Sequence, residues 1–87
     1  ARQQQRPDLV IANPPREGLG PQVCAELLRL APPRLHIMSC GPASLARDLD
    51  ALTGGLTPRF RLVTLRAYDT LPHTPHLELV AWLEAVP

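Results

Sequence analysis

The sequence predicts an α/β fold in which two parallel strand–helix units lead into an antiparallel β-hairpin. Three observations carry this reading. Short apolar runs stand at Leu9–Ala12 and at residues 35–39. Each is followed by a stretch whose apolar residues recur at helical spacing. Two further apolar runs, Phe60–Tyr68 and residues 77–83, are separated by too few residues for a helix. Strand, helix, strand, helix implies parallel neighbours with right-handed crossovers, whereas two strands with a short link between them must be antiparallel.

Residues 1–7 are a polar approach closed by Pro7. Leu9–Ala12 is a continuous apolar run, the pattern of a strand buried on both faces of a parallel sheet. Asn13-Pro14-Pro15-Arg16 ends it, because two prolines remove ladder hydrogen bonds. From Gly20 or Pro21 to Ala31 the residues Val23, Cys24, Leu27, Leu28 and Ala31 mark one face of an amphipathic helix, stopped by Pro32-Pro33. The second strand covers residues 35–39, with Leu35, Ile37 and Met38 apolar. A Ser39-Cys40-Gly41-Pro42 corner follows, then a helix from Pro42 to Leu52, apolar at Leu45, Ala46 and Leu49, which stops at Gly54-Gly55. In the last strand, alternation sets Leu77, Leu79 and Ala81 against Glu78, Val80 and Trp82.

At 87 residues the chain makes one domain at most, with a marginal core of its own. Nine Arg and no Lys face eight acidic residues, for a formal charge of +1, which is not the basic excess of a free-standing nucleic-acid binder. Eleven Pro and five Gly punctuate the chain, yet an apolar fraction of 45% argues against disorder. Two cysteines are too few for a disulfide scaffold or an ordinary zinc site, so an intracellular, cytoplasmic setting is the plain reading. No apolar run approaches the roughly 18 residues of a membrane span, and no signal peptide is legible. The start at Ala1 with a polar lead-in points to a fragment of something longer.

Three motifs carry chemistry. Cys40 sits at the carboxyl end of a strand and ahead of a helix amino terminus, where the dipole favours a thiolate and where open α/β sheets bind ligands. A small buried hydrophobe is the plain alternative for it. Cys24, on the apolar face of the first helix, belongs to the core. Asn13 follows a strand directly, and its prolines fix the backbone so that a side-chain acceptor faces a pocket; a rigid capped turn would look the same. His73-Thr74-Pro75-His76-Leu77-Glu78 holds two imidazoles and a carboxylate at a strand start. A metal reading fails there on ligand count. Glu78 suits either a proton acceptor in a partly dry pocket or a solvated strand end.

Together, Asn13-Pro14-Pro15-Arg16-Glu17-Gly18-Leu19, Ser39-Cys40-Gly41-Pro42 running into Leu45-Ala46-Arg47-Asp48-Leu49, and Tyr68-Asp69 to Pro72-His73-Thr74 with His76-Leu77-Glu78 resemble the carboxyl-terminal catalytic half of the RNA 5-methyluridine methyltransferases. The likeness runs from about Pro7 to Glu84. It implies the carboxyl-terminal half of a Rossmann-like class I methyltransferase domain, with S-adenosyl-L-methionine as cofactor and RNA as partner. In such enzymes a cysteine thiolate adds to carbon 6 of uracil to activate carbon 5, and a base then removes the carbon 5 proton. The resemblance matches Cys40 to the nucleophile and Glu78 to the base. It sets Asn13 beside the methyl donor and the target base, with Pro14, Arg16 and His76 on the substrate side. The target uridine would lie in a loop or be flipped out.

Departures from the family pattern are informative. Asn13 replaces the commoner Asp and, with Pro72-His73-Thr74, leans towards the ribosomal RNA branch. Gly41 stands where an Asn is usual, which removes an amide from the pocket. The glycine-rich loop that would hold the donor's amino acid and ribose is not in this chain, so residues 1–87 read as a fragment that is inactive alone, with an RNA-binding domain upstream. Two other readings are an amino-group methyltransferase using Asn-Pro-Pro, against which Arg16 and Cys40 argue, and a non-catalytic α/β module that binds RNA or protein. The isolated chain is also expected to self-associate through the open edge of Leu9–Ala12 or the adjoining helix face.

Overall fold

The computed structural model describes residues 8–68 and 78–87. In chain order the elements are β1 (Leu9–Ala12), α1 (Gly20–Leu30), β2 (Arg34–Ser39), α2 (Pro42–Thr53), β3 (Phe60–Tyr68) and β4 (Glu78–Ala85). Each expected strand and helix is present, and boundaries move by small amounts. α1 stops at Leu30 because Ala31 takes a left-handed conformation, φ 45°, and donates its N–H to the Leu27 carbonyl at 2.8 Å. Pro32 behind it disfavours helical backbone at Ala31, so the periodicity that reached Ala31 overran the helix by one residue. β4 extends past Leu83 to Ala85, whose N–H bonds the Pro33 carbonyl at 2.9 Å.

The four strands form one sheet in the order β1-β2-β4-β3. β1 and β2 are parallel, from Leu9 opposite Arg34 to Ala12 opposite Ile37. β4 is antiparallel to both β2 and β3. The hairpin read from the sequence is therefore present, and its second strand, not its first, docks on β2. β3 then runs in the direction of β1 and β2, with β4 as the single reversed strand between them. A register shift between Leu62 and Thr64 bulges β3 and sharpens its twist.

Both helices pack on one face of this sheet. Cys24 and Leu27 of α1, Leu45 and Leu52 of α2, Leu35 and Ile37 of β2, Phe60 of β3, and Ala81 and Leu83 of β4 form one buried cluster. Each large side chain among them contributes about 1.5–3 kcal/mol relative to exposure. The other face is uncovered among the described residues. It carries His36 stacked on Trp82, with ring centroids 4.7 Å apart and planes 8° from parallel. It explains one correction. β1 was expected to be buried on both faces, yet Val10 and Ala12 pack against the core while Ile11 is 62% exposed. A continuous apolar run signals two buried faces, and within residues 8–68 and 78–87 only one is covered. Val23, counted on the apolar face of α1, is likewise exposed. Among the described residues no helix is long and apolar enough to cross a membrane.

Candidate active site

Strand direction brings the sequence motifs to one rim. β1 and β2 run the same way, so Asn13, directly after β1, and Cys40, directly after β2, leave the sheet at the same edge. β4 runs the other way, which puts its first residue, Glu78, at that edge too. The register is more specific. Ser39 pairs with Leu79, so Cys40 and Glu78 each lie one residue beyond the last pair of the β2–β4 ladder. Residues opposed across antiparallel strands have Cα atoms about 4.5–5.5 Å apart. Tyr68 of β3 is Glu78's partner on the other side. Alternation turns Glu78 away from the face of Leu79, Ala81 and Leu83, and the residue is half-buried.

Cys40 is partly exposed and lines an open recess of about 520 Å3 with Arg16, Glu17, Gly41, Ser44 and Arg47. Asn13, Pro14 and Glu78 stand on the same rim without lining that recess. His76 lies outside the described residues, as does the rest of residues 69–77. The Cys40 corner is braced from below by buried Ser39, whose hydroxyl oxygen accepts the Gly41 N–H at 3.0 Å. Pro42 then starts α2, and the Gly41 carbonyl accepts from the Leu45 N–H at 2.9 Å.

The loop after Asn13-Pro14 is fastened to α2 by its backbone. It turns at residues 15–18, where the Gly18 N–H donates to the Pro15 carbonyl at 2.8 Å and Gly18 adopts φ 94°. Ser44 donates its hydroxyl to the Arg16 carbonyl at 2.5 Å. Arg47 donates to the Glu17 carbonyl at 2.6 Å. The Leu19 N–H donates to Asp48 Oδ2 at 2.7 Å. Two glycines make the approach possible: a Cβ on Gly18 would meet Asp48 Oδ2 at 2.6 Å, and one on Gly41 would meet the Arg16 carbonyl oxygen at 2.5 Å. Gly41 thus does more than omit an amide; the Arg16 carbonyl occupies the place of its side chain.

Asp48 is 2% exposed, a carboxylate inside the core. Its compensation is local. Besides Leu19 at the amino terminus of α1, Oδ1 has the Arg47 guanidinium at 3.5 Å and accepts from the Cys24 thiol at 3.8 Å. Burial first, then the charge of Asp48 and this hydrogen bond, push the Cys24 thiol up to about 11. Cys24, read from the sequence as core, is accordingly a buried neutral thiol. Ser44, Arg47 and Asp48 as a group escaped the sequence reading. Their signal was available: they are spaced i, i+3, i+4 on α2, and Asp48 falls within the stripe of Leu45, Leu49 and Leu52 where an apolar residue was due.

Comparison with known proteins bears on the family and the fold. The model of the family described as tRNA (Uracil-5-)-methyltransferase matches residues 3–86. A 23S rRNA (uracil(747)-C(5))-methyltransferase RlmC of Shewanella loihica is 35% identical over 99% of the chain, which covers 21% of that relative. A protein of Nitratidesulfovibrio vulgaris named as an uncharacterized RNA methyltransferase is 46% identical over 88% of the chain and 16% of its own length. Among solved structures, the Pyrococcus abyssi tRNA (uracil-54, C5)-methyltransferase in complex with S-adenosyl-L-homocysteine superposes with a TM-score of 0.74 at 41% identity, over 87% of this chain and 18% of that one. The chain spans about a fifth of the length of these relatives. With a matching fold and a family model that covers nearly every residue, the chain belongs to the tRNA (uracil-5-)-methyltransferase family.

Proposed function

We propose that this chain is the carboxyl-terminal part of the catalytic domain of a cytoplasmic, S-adenosylmethionine-dependent RNA uracil C5-methyltransferase, with Cys40 as nucleophile and Glu78 as general base. The observation that carries the reading is the adjacency of Cys40 and Glu78, each one residue past the last pair of the β2–β4 ladder. Uracil carbon 5 is a poor nucleophile, and a thiolate at carbon 6 remedies that. The Cys40 sulfur forms a bond to carbon 6, and the displaced electron pair makes an enolate that is nucleophilic at carbon 5. S-adenosylmethionine supplies the electrophilic methyl group that carbon 5 takes. Glu78 then accepts the proton from carbon 5, the pair re-forms the carbon 5–carbon 6 double bond, and the Cys40 thiolate leaves.

Asn13 is exposed where β1 ends, and its amide can both donate and accept, which suits the polar groups of donor and base at that rim. Pro14, Arg16 and His76 are assigned to the RNA side. The chain spans about a fifth of the length of its relatives, and the contacts to the donor's amino acid and ribose are assigned to the remainder of such an enzyme. Ribosomal RNA is the proposed substrate, supported by Asn13 and by the RlmC relatives. Amino-group methylation is disfavoured because it gives no use to a cysteine held beside a carboxylate.

The test is trapping. The intact enzyme is incubated with methyl donor and a 23S ribosomal RNA transcript carrying 5-fluorouridine, whose fluorine cannot leave as a proton does. Mass spectrometry is expected to find RNA attached to the peptide that contains Cys40. Methylation of the unmodified transcript with no such adduct would sink the covalent reading. For the isolated 87-residue chain we propose self-association through β1, which is an edge strand among the described residues and carries exposed Ile11. Light scattering at high concentration should show dimers or larger species; a monodisperse monomer refutes this.

A further inference from the structure

Helix α2 does more than present Cys40 at its amino terminus. Ser44, Arg47 and Asp48 lie on one face of it and bond three consecutive stations of the Arg16–Leu19 loop: the carbonyls of Arg16 and Glu17 and the N–H of Leu19. All three bonds are to main-chain atoms, so they fix where the loop runs without reading its side chains. The same loop begins at Asn13 and Pro14 and brings Arg16 into the recess beside Cys40. The spacing between the Asn13 loop and the thiol is thereby set by one rigid helix.

We propose that Ser44, Arg47 and Asp48 are positioning residues, a backbone clamp that holds the Asn13–Arg16 loop at its working distance from Cys40. The inference rests on the Cys40 reading given above. Asp48 is the centre of the clamp. A carboxylate that is 2% exposed is costly unless compensated, and an apolar residue would fill the space in the Leu45, Leu49, Leu52 stripe at no such cost. Its compensation comes from the Leu19 N–H, the positive end of α1 and the Arg47 guanidinium. These are the partners that tie α1 and the loop to α2. The glycines at 18 and 41 fit the same purpose, since a Cβ on either would push clamp and loop apart.

The test uses the intact enzyme and the same 5-fluorouridine-bearing 23S transcript. It measures the rate of Cys40 adduct formation at saturating RNA, with RNA affinity and melting temperature in parallel. Asp48→Ala is expected to slow adduct formation about a hundredfold and Ser44→Ala about tenfold, as loose positioning does, with RNA affinity held within about threefold. Asp48→Asn keeps an acceptor for the Leu19 N–H, and Ser44→Thr keeps the hydroxyl; both are expected to recover most of the rate. If Asp48→Ala fails to fold, the pair Ser44→Ala and Ser44→Thr decides, because Ser44 lies outside the buried cluster. Unchanged rates in folded variants overturn the clamp, as does a loss that merely follows weaker RNA binding. If the wild-type enzyme forms no adduct, the Cys40 reading falls and the clamp with it; an adduct in the wild type with equal rates in the variants removes the clamp alone.

Discussion

Cys40→Ser in the intact enzyme is expected to abolish both methylation and the 5-fluorouridine adduct while RNA binding persists. The sulfur is replaced by an oxygen that is not ionised at neutral pH, and the step that makes carbon 5 nucleophilic disappears. Loss of a covalent nucleophile costs on the order of 10⁴-fold or more in turnover. The fold should tolerate the change. Cys40 is only half-buried at the mouth of an open recess, and the corner is held by Ser39 and Gly41, not by the thiol. Methyl transfer to RNA assayed beside a gel-shift titration checks both halves. A variant that methylates at more than about a hundredth of the wild-type rate would show that Cys40 is not the nucleophile.

Glu78→Gln should behave differently, and the difference separates the two roles. In the proposed mechanism addition and methyl transfer precede the step that needs a base, so the variant is expected to accumulate methylated RNA bonded to Cys40. Release of product should fall by about 10²–10⁴-fold. Gel electrophoresis under denaturing conditions would then show a slow RNA–protein band with ordinary uridine. If Glu78→Gln turned over freely, or failed before any adduct appeared, the base would have to be sought elsewhere on the rim.

Local chemistry made most of the fold legible. Pro32-Pro33 and Gly54-Gly55 end helices, Pro42 starts one, and short apolar runs fix the strands. The short link between β3 and β4 required antiparallel pairing, but nothing local could say which of the two would dock on β2. That choice rests on facing surfaces far apart in sequence: Ala81 and Leu83 of β4 close the core against Leu35 and Ile37. The motif positions Asn13, Cys40 and Glu78 were legible one at a time, and their common rim follows from strand direction once the pairing is known. Asp48 shows the other limit. A charged residue on an amphipathic helix is ordinarily assigned to solvent, and it is partners far along the chain, Leu19 just before α1 and Cys24 within it, that together with Arg47 make its burial tolerable.

The reversed strand between β2 and β3 also governs how such a sequence can change over time. Cys40 and Glu78 belong to segments that meet, among the described residues, through the β2–β4 ladder, so hydrogen-bond register is the ruler that measures one against the other. Substitutions along β4 leave that ruler intact, provided the residues facing the helices stay apolar. Gaining or losing one residue between Glu78 and Leu83 does not: every later side chain would swap faces, or the carboxylate would slide one step and turn towards the helices. Descent in this stretch is therefore open to replacement and closed to single-residue insertion or deletion, even though the strand as a whole reads as unremarkable alternating sequence.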